Sequence, residues 1–152
     1  MVIVWRKQWV SPFESPWSIF EKIALANQVK RDEILHRMGS TDVKNIKNKK
    51  YGDNRRELFT LSGFDSEFVQ NTLGYDLIGH NKSIIARLMQ PVSYYRELQD
   101  SWFFNRLRWC QECIQVGQHS LLHQFKLIKR CPVHETILFD SCPSCLKQFP
   151  IC

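Results

Sequence analysis

The first 109 of the 152 residues contain no cysteine, and all six cysteines fall between Cys110 and Cys152. A secreted scaffold distributes its disulfides over the chain it must hold together, so this clustering points to metal binding instead. There is also no run of about 18 apolar residues, the minimum for a membrane-crossing helix, and no membrane association is expected. The start, Met1-Val-Ile-Val-Trp-Arg-Lys, places apolar residues before its charges. A secretory signal has the reverse order and an apolar stretch of roughly 7–15 residues, so the expected location is cytoplasmic. Internal repeats and low-complexity tracts are not evident. No Ser/His/Asp arrangement, glycine-rich phosphate loop or paired-carboxylate spacing stands out, so an enzyme is not expected.

What is present suffices for a core: 43% of residues are hydrophobic and 12% aromatic. The length fits one domain with a small metal-held appendage. Lysine and arginine total 21 against 15 acidic residues, a formal charge of +6 that is compatible with an acidic partner but modest for this length.

The expected fold class is a mainly α N-terminal region, residues 1–100, followed by small zinc-ribbon or zinc-knuckle modules over 101–152. Ser15 suits an N-cap and Pro16 a first helical position, with Trp17, Phe20, Ile23, Ala24 and Asn27 at helical spacing behind them. A second helix is predicted over about 29–38, with Ile34, Leu35 and Met38 on one side and Gly39 as its stop. Two more are predicted from the Asp65 cap to Leu73, stopped by Gly74, and from Asn81 to Met89, stopped by Pro91. Between them, Lys44, Lys47, Lys49, Lys50, Arg55 and Arg56 face only Asp42 and Asp53 in a polar loop. It reads as a solvated connection or as a nucleic-acid contact.

From Trp102 the character changes. Trp109-Cys-Gln-Glu-Cys113 is followed, after seventeen residues, by Cys131-Pro-Val-His134. Pairs of the form C-x2-C and C-x2-H at this separation are the spacing of a tetrahedral zinc site. Two ligands three positions apart on a tight turn can point at one ion, and the intervening chain need only bring the second turn to face the first. Three thiolates and an imidazole fill four positions and leave none for a catalytic water, so a structural role is expected. Cys142-Pro-Ser-Cys145 forms a further knuckle whose other half is missing. With Cys152 it offers three possible ligands, and either the fourth comes from elsewhere (His119, His123 or His80) or the chain is a truncated form of something longer; the latter is favoured. His119 and His123 share a face if a helix runs through Ser120–Ile128. That spacing can bind metal, but packing is the expected role. Lys126, Lys129 and Arg130 add a second basic cluster suited to nucleic-acid backbone or to protein docking.

The motifs Pro12-Phe-Glu-Ser15, Trp109-Cys-Gln-Glu-Cys113, Gly117-Gln-His-Ser120, His123-Gln124, Cys131-Pro-Val-His134 and Cys142-Pro-Ser-Cys145 resemble the TniQ/TnsD family of transposition target-selection proteins. The resemblance runs from about Pro12 to Cys145. It implies a helical N-terminal region with tandem zinc modules, zinc as cofactor, and no catalytic activity. The partners it implies are a transposon AAA+ ATPase regulator and either target DNA or an RNA-guided effector complex. By motif, Cys110, Cys113, Cys131 and His134 match the first zinc site; Cys142 and Cys145 match half of the second. The closing pair of that second site and a helix-turn-helix extension have no counterpart here, so a C-terminally shortened member is expected. The alternative reading is a general zinc-ribbon nucleic-acid-binding protein, with Lys44–Arg56 and Lys126–Arg130 as contacts.

Overall fold

The computed structural model describes residues 3–39, 61, 63–92, 102–104 and 106–147. The basic loop residues Lys44, Lys47, Lys49, Lys50, Arg55 and Arg56 lie outside these, as does Cys152. Among the described residues five α-helices occur in chain order: α1 (Pro16–Ala26), α2 (Arg31–Met38), α3 (Ser66–Leu73), α4 (Leu77–Met89) and α5 (Gln111–Gln115). Single 3-10 turns cover Lys7–Trp9 and Leu121–Gln124. Among the described residues there are no strands, only isolated antiparallel bridges, so the protein is helix-dominated as expected.

Local chemistry sets the helix bounds. The Ser15 hydroxyl accepts the Ser18 N–H and Pro16 opens α1, where its missing N–H costs nothing. Asn27 ends α1 and turns back on the lead-in: its amide nitrogen donates to the Val4 carbonyl at 3.0 Å while its side-chain oxygen accepts the Val4 N–H at 2.7 Å. This pins residues 3–10 along α1. At α3, Asp65 accepts the Phe68 N–H and Gly74, at φ +72°, supplies the left-handed stop.

Helix α4 begins four residues before the expected Asn81. Asp76 is the N-cap and accepts the N–H of Gly79 at 2.8 Å. A glycine in a first turn normally argues against a helix, which concealed this start. Here it serves the cap, because a Cβ at Gly79 would collide with the Asp76 carboxylate.

Two apolar clusters fill the body. The larger joins α1 (Ile19, Phe20, Ile23), α2 (Ile34, Met38) and α3 (Val69, Leu73) and includes Leu107, with Ile114 of α5 packed on its side. Phe20 stacks on Phe64 at 5.3 Å between ring centroids. The second joins Ile84, Ile85 and Met89 of α4 to Phe103, Leu121 and Phe125. Each cluster therefore contains side chains from both sides of residue 100. Burying aliphatic and aromatic side chains this completely stabilises the fold by roughly 1.5–3 kcal/mol each.

The α4 cap is testable by double-mutant cycle. Replacing glycine by alanine inside a helix ordinarily gains about 0.5–1 kcal/mol. Gly79→Ala is expected to gain nothing in the native chain, because the new methyl displaces the capping carboxylate. In an Asp76→Ala background, which itself costs about 1 kcal/mol, the same change is expected to stabilise. Urea denaturation of the four proteins measures this, and additive effects would refute the account.

Candidate metal centre

Cys110 is the N-cap of α5 and Cys113 lies within its first turn. The segment returns through Gly117, whose φ of +69° allows the sharp reversal. Cys131 and His134 stand on a turn closed by two backbone bonds: Cys131 N–H to Thr136 O at 2.8 Å and Glu135 N–H to Cys131 O at 2.8 Å. Pro132 fixes its own φ, and Glu135 takes the left-handed conformation at +58°, a costly position for a residue with a Cβ.

The two turns bring four donor atoms together. The sulfurs of Cys110, Cys113 and Cys131 lie 3.4, 3.3 and 3.6 Å from Nδ1 of His134, and the Cys113 and Cys131 sulfurs are 3.6 Å apart. All four donors fall within 4.8 Å of one another. These are the edges of a small tetrahedron, with the cysteines buried and the histidine half-buried. The described cysteines are unbridged. Three soft sulfurs and one imidazole nitrogen form a donor set suited to a tetrahedral metal ion, so the residues present fit such an ion. The Thr136 hydroxyl, 3.3 Å from the Cys110 sulfur, is placed to donate to it and so to orient a metal ligand from outside.

Electrostatics distinguish the thiols. Burial pushes Cys110 up, but hydrogen bonds from Thr136, the Cys113 backbone and the neighbouring Cys131 and His134 outweigh it and bring the thiol down to about 7. Cys113, buried and surrounded by the other two sulfurs, is pushed well above the ordinary thiol range. Two or three thiols this close cannot all ionise without a cation between them.

Cys142 and Cys145 stand apart from this cluster, on a turn of the same construction. Cys142 N–H reaches Lys147 O at 2.7 Å, Leu146 N–H reaches Cys142 O at 2.8 Å, and Leu146 takes φ +58°. Residue for residue this is the Cys131 turn moved eleven positions along the chain, a short repeat that sequence reading passed over. Cys142 is half-buried and Cys145 exposed.

The histidines resolve differently from the helix expectation. Ser120–Ile128 forms no α-helix; only the turn Leu121–Gln124 is helical, and His119 precedes it. The His119 ring is fully buried. Its Nε2–H donates to the Arg108 carbonyl at 2.6 Å, and its Nδ1, 2.7 Å away, accepts the Ser15 hydroxyl. Both ring nitrogens are used, so His119 cannot be a metal ligand. Burial, then the neighbouring His123, hold its pKa at about 3 against the opposing Arg108 bond. His123 is also fully buried, 5.2 Å from the His119 ring. Burial, with Arg108 and His134 nearby, lowers it to about 4. His80 is exposed on α4.

Lys126, Lys129 and Arg130 are exposed. Arg130 donates to the Glu135 carbonyl at 3.0 Å and Lys126 stands 5.8 Å from the Phe104 ring centroid. Arg108 is not a surface cation: it is buried over the Phe104 ring at 4.3 Å and donates to the Ile128 carbonyl.

The described chain is thus a helical body carrying three cysteines and one histidine that could hold a metal ion. The chain matches the TniQ family over residues 7–138 and belongs to it, which implies involvement in selecting targets for transposition. No curated protein matches the chain, and no solved structure does. Among the described residues no helix is long and apolar enough to cross a membrane.

The buried imidazoles give a pH prediction. His119 drops from 6.5 to about 3 on folding, so between those values the unfolded chain binds more protons than the folded one. Its contribution is fully present above pH 6.5 and is lost as pH falls towards 3. The urea midpoint of the native chain is therefore expected to fall between pH 7 and pH 5, and the fall to be shallower in His119→Gln. An equal fall in both proteins would refute the assignment.

Proposed function

We propose that the chain is a non-catalytic adaptor in transposition target selection, holding zinc at Cys110, Cys113, Cys131 and His134. The observation that carries this reading is the four-donor cluster inside a TniQ-matched chain. Zinc–sulfur distances of about 2.3 Å and zinc–nitrogen distances of about 2.0–2.1 Å in a tetrahedron place the donors about 3.5–3.8 Å apart; four of the six separations, 3.3–3.6 Å, lie close to that, and all six are within 4.8 Å. Filling all four positions from side chains leaves the ion structural. It supplies folding free energy, with apparent values of roughly 10–16 kcal/mol in comparable small sites. Cys142 and Cys145 form half of a second site on a turn already shaped for it.

In this reading residues 1–100 provide the helical part and 101–152 the metal-bearing part of one adaptor. It links a transposon AAA+ ATPase to target DNA or to a DNA-bound, RNA-guided complex. Lys44, Lys47, Lys49, Lys50, Arg55, Arg56, Lys126, Lys129 and Arg130 would contact phosphate. The exposure of Lys126, Lys129 and Arg130 also supports the second reading, a general zinc-ribbon nucleic-acid-binding protein. The two separate on partner choice. An adaptor co-purifies with the ATPase encoded beside it, whereas a general binder retains DNA of any sequence with affinity that falls steeply with salt.

Elemental analysis of the purified chain is expected to show bound zinc. Cys131→Ser is expected to abolish binding at the first site, and Cys142→Ser to leave that site filled. Co-purification with the ATPase is expected for the native chain and lost with Cys131→Ser; association with neither ATPase nor DNA would refute the adaptor reading.

A further inference from the structure

The segment carrying Cys110 and Cys113 leads through an exposed turn to His119, whose buried hydrogen bonds join it to the start of α1. The Cys113 carbonyl receives the N–H groups of Val116 at 3.2 Å and Gln118 at 2.9 Å, which leads the chain from the metal turn directly into His119. His119 then meets α1 at four points. Its carbonyl accepts the Ser15 N–H at 2.8 Å, and its N–H donates to the Ser18 hydroxyl at 3.2 Å. Its Nδ1 accepts the Ser15 hydroxyl, and its ring packs edge-on to Trp17 at 5.4 Å. The opposite ring nitrogen holds the Arg108 carbonyl, which also receives the Gln124 side-chain N–H at 2.8 Å. Arg108 lies just before Cys110 and His119 just after the Cys113 turn. One imidazole therefore ties both ends of the ligand-bearing segment to each other and to the first turn of α1.

The connection continues into the N-terminal motif. Ser18 donates to the buried Glu14 carboxylate at 2.6 Å, and Glu14 also accepts the Ser11 N–H at 2.8 Å and the Lys22 ammonium at 2.7 Å. Phe13, at φ +59°, presents its carbonyl to the Leu121 N–H at 2.7 Å. A left-handed phenylalanine persists only where its surroundings over-determine it; here Leu121 and Ser120 hold the Phe13 carbonyl at 2.7 and 3.3 Å, while the buried Glu14 carboxylate is paired locally by Ser11, Ser18 and Lys22.

We propose that His119 couples the metal centre to the N-terminal Pro12–Ser15 motif and α1, so that metal occupancy sets whether the amino-terminal face of the domain is held in its folded position. This rests on the four-donor cluster being a metal site. Losing the ion frees Cys110 and Cys113, loosens the Cys113 carbonyl turn and withdraws His119 from Ser15 and Ser18. The Ser15 N–H and hydroxyl and the Ser18 hydroxyl then lose their His119 partners together. Metal loss is thereby read out at Ser15 and Ser18, more than a hundred positions from His119 in sequence.

Hydrogen-exchange mass spectrometry of the full chain tests this, comparing zinc(II)-loaded protein with chelator-stripped protein and measuring metal content in parallel. In the native chain, stripping is expected to speed exchange of peptides spanning 15–24 by on the order of tenfold or more, and more than that of α3. In His119→Ala zinc is expected to stay bound while 15–24 exchanges fast in both states. His119→Gln, which restores an acceptor and a donor, is expected to recover part of the protection. Should His119→Ala fail to fold, Ser18→Ala removes the hydroxyl shared by Glu14 and His119 and is expected to weaken the response to metal. A filled site with 15–24 unresponsive to stripping in the native chain overturns the coupling alone. An undiminished response in His119→Ala, or in Ser18→Ala if that variant must stand in, overturns the role of His119. Absence of bound zinc overturns the metal site itself, and the coupling with it.

Discussion

The structure depends on one neutral imidazole held between a serine hydroxyl and a backbone carbonyl. His119 can accept from Ser15 and donate to Arg108 at the same time only in the uncharged form with its proton on Nε2. A carbonyl cannot donate, which fixes that proton, and the fixed proton leaves Nδ1 free to accept. The Ser15 oxygen in turn caps α1 by receiving the Ser18 N–H. Each group thus has one role, and removing any of them strands a buried polar partner at a cost of about 1–3 kcal/mol. A hydrophobic contact would hold the same surfaces together without specifying how they meet. The bonded set admits one register between the helical part and the cysteine-bearing part.

The metal turns show how such a small element is made reliable. At both Cys131 and Cys142 the cysteine N–H and carbonyl are tied to residues four and five positions on, and a non-glycine residue accepts the left-handed conformation to close the loop. The backbone of each turn therefore holds its own cysteine in place through bonds that do not involve the sulfur. The Thr136 hydroxyl beside Cys110 favours the ionised thiol that a metal needs. Crowding of Cys113 by two other sulfurs works against ionisation until a cation is present, so binding and deprotonation are linked.

How much of this was legible in the sequence follows from how local each feature is. The cluster of Cys110, Cys113, Cys131 and His134 is written in two short spacings, and their meeting was readable without a structure. The same holds for Ser15 and Pro16 at the start of α1 and for Asp65 and Gly74 around α3. The start of α4 was misread because Gly79, the residue the Asp76 cap requires, is also the residue that lowers helix propensity. The i, i+4 pair His119 and His123 suggested one helical face, whereas His119 precedes a single 3-10 turn. Its partner Ser15 lies 104 positions away, a pairing with no local signature. Both halves of the contact were visible as motifs, Pro12–Ser15 and Gly117–Ser120, but nothing in one sequence says that two motifs touch. The basic loop 40–56 lies outside the described residues, and for the other cationic cluster composition was readable and exposure was not.

The bonds linking residues 13–18 to 117–121 also order events during synthesis. As the nascent chain leaves the ribosome, the Phe13 carbonyl and the Ser15 N–H and hydroxyl exist long before their partners at residues 119–121 do, because translation proceeds at about 5–20 residues per second. Through that interval α1 can associate with α2 through apolar side chains, but its first turn has no final docking place. Closure waits for the cysteine-bearing segment to emerge, so the amino-terminal motif is among the first parts of the molecule to be made and among the last to be completed.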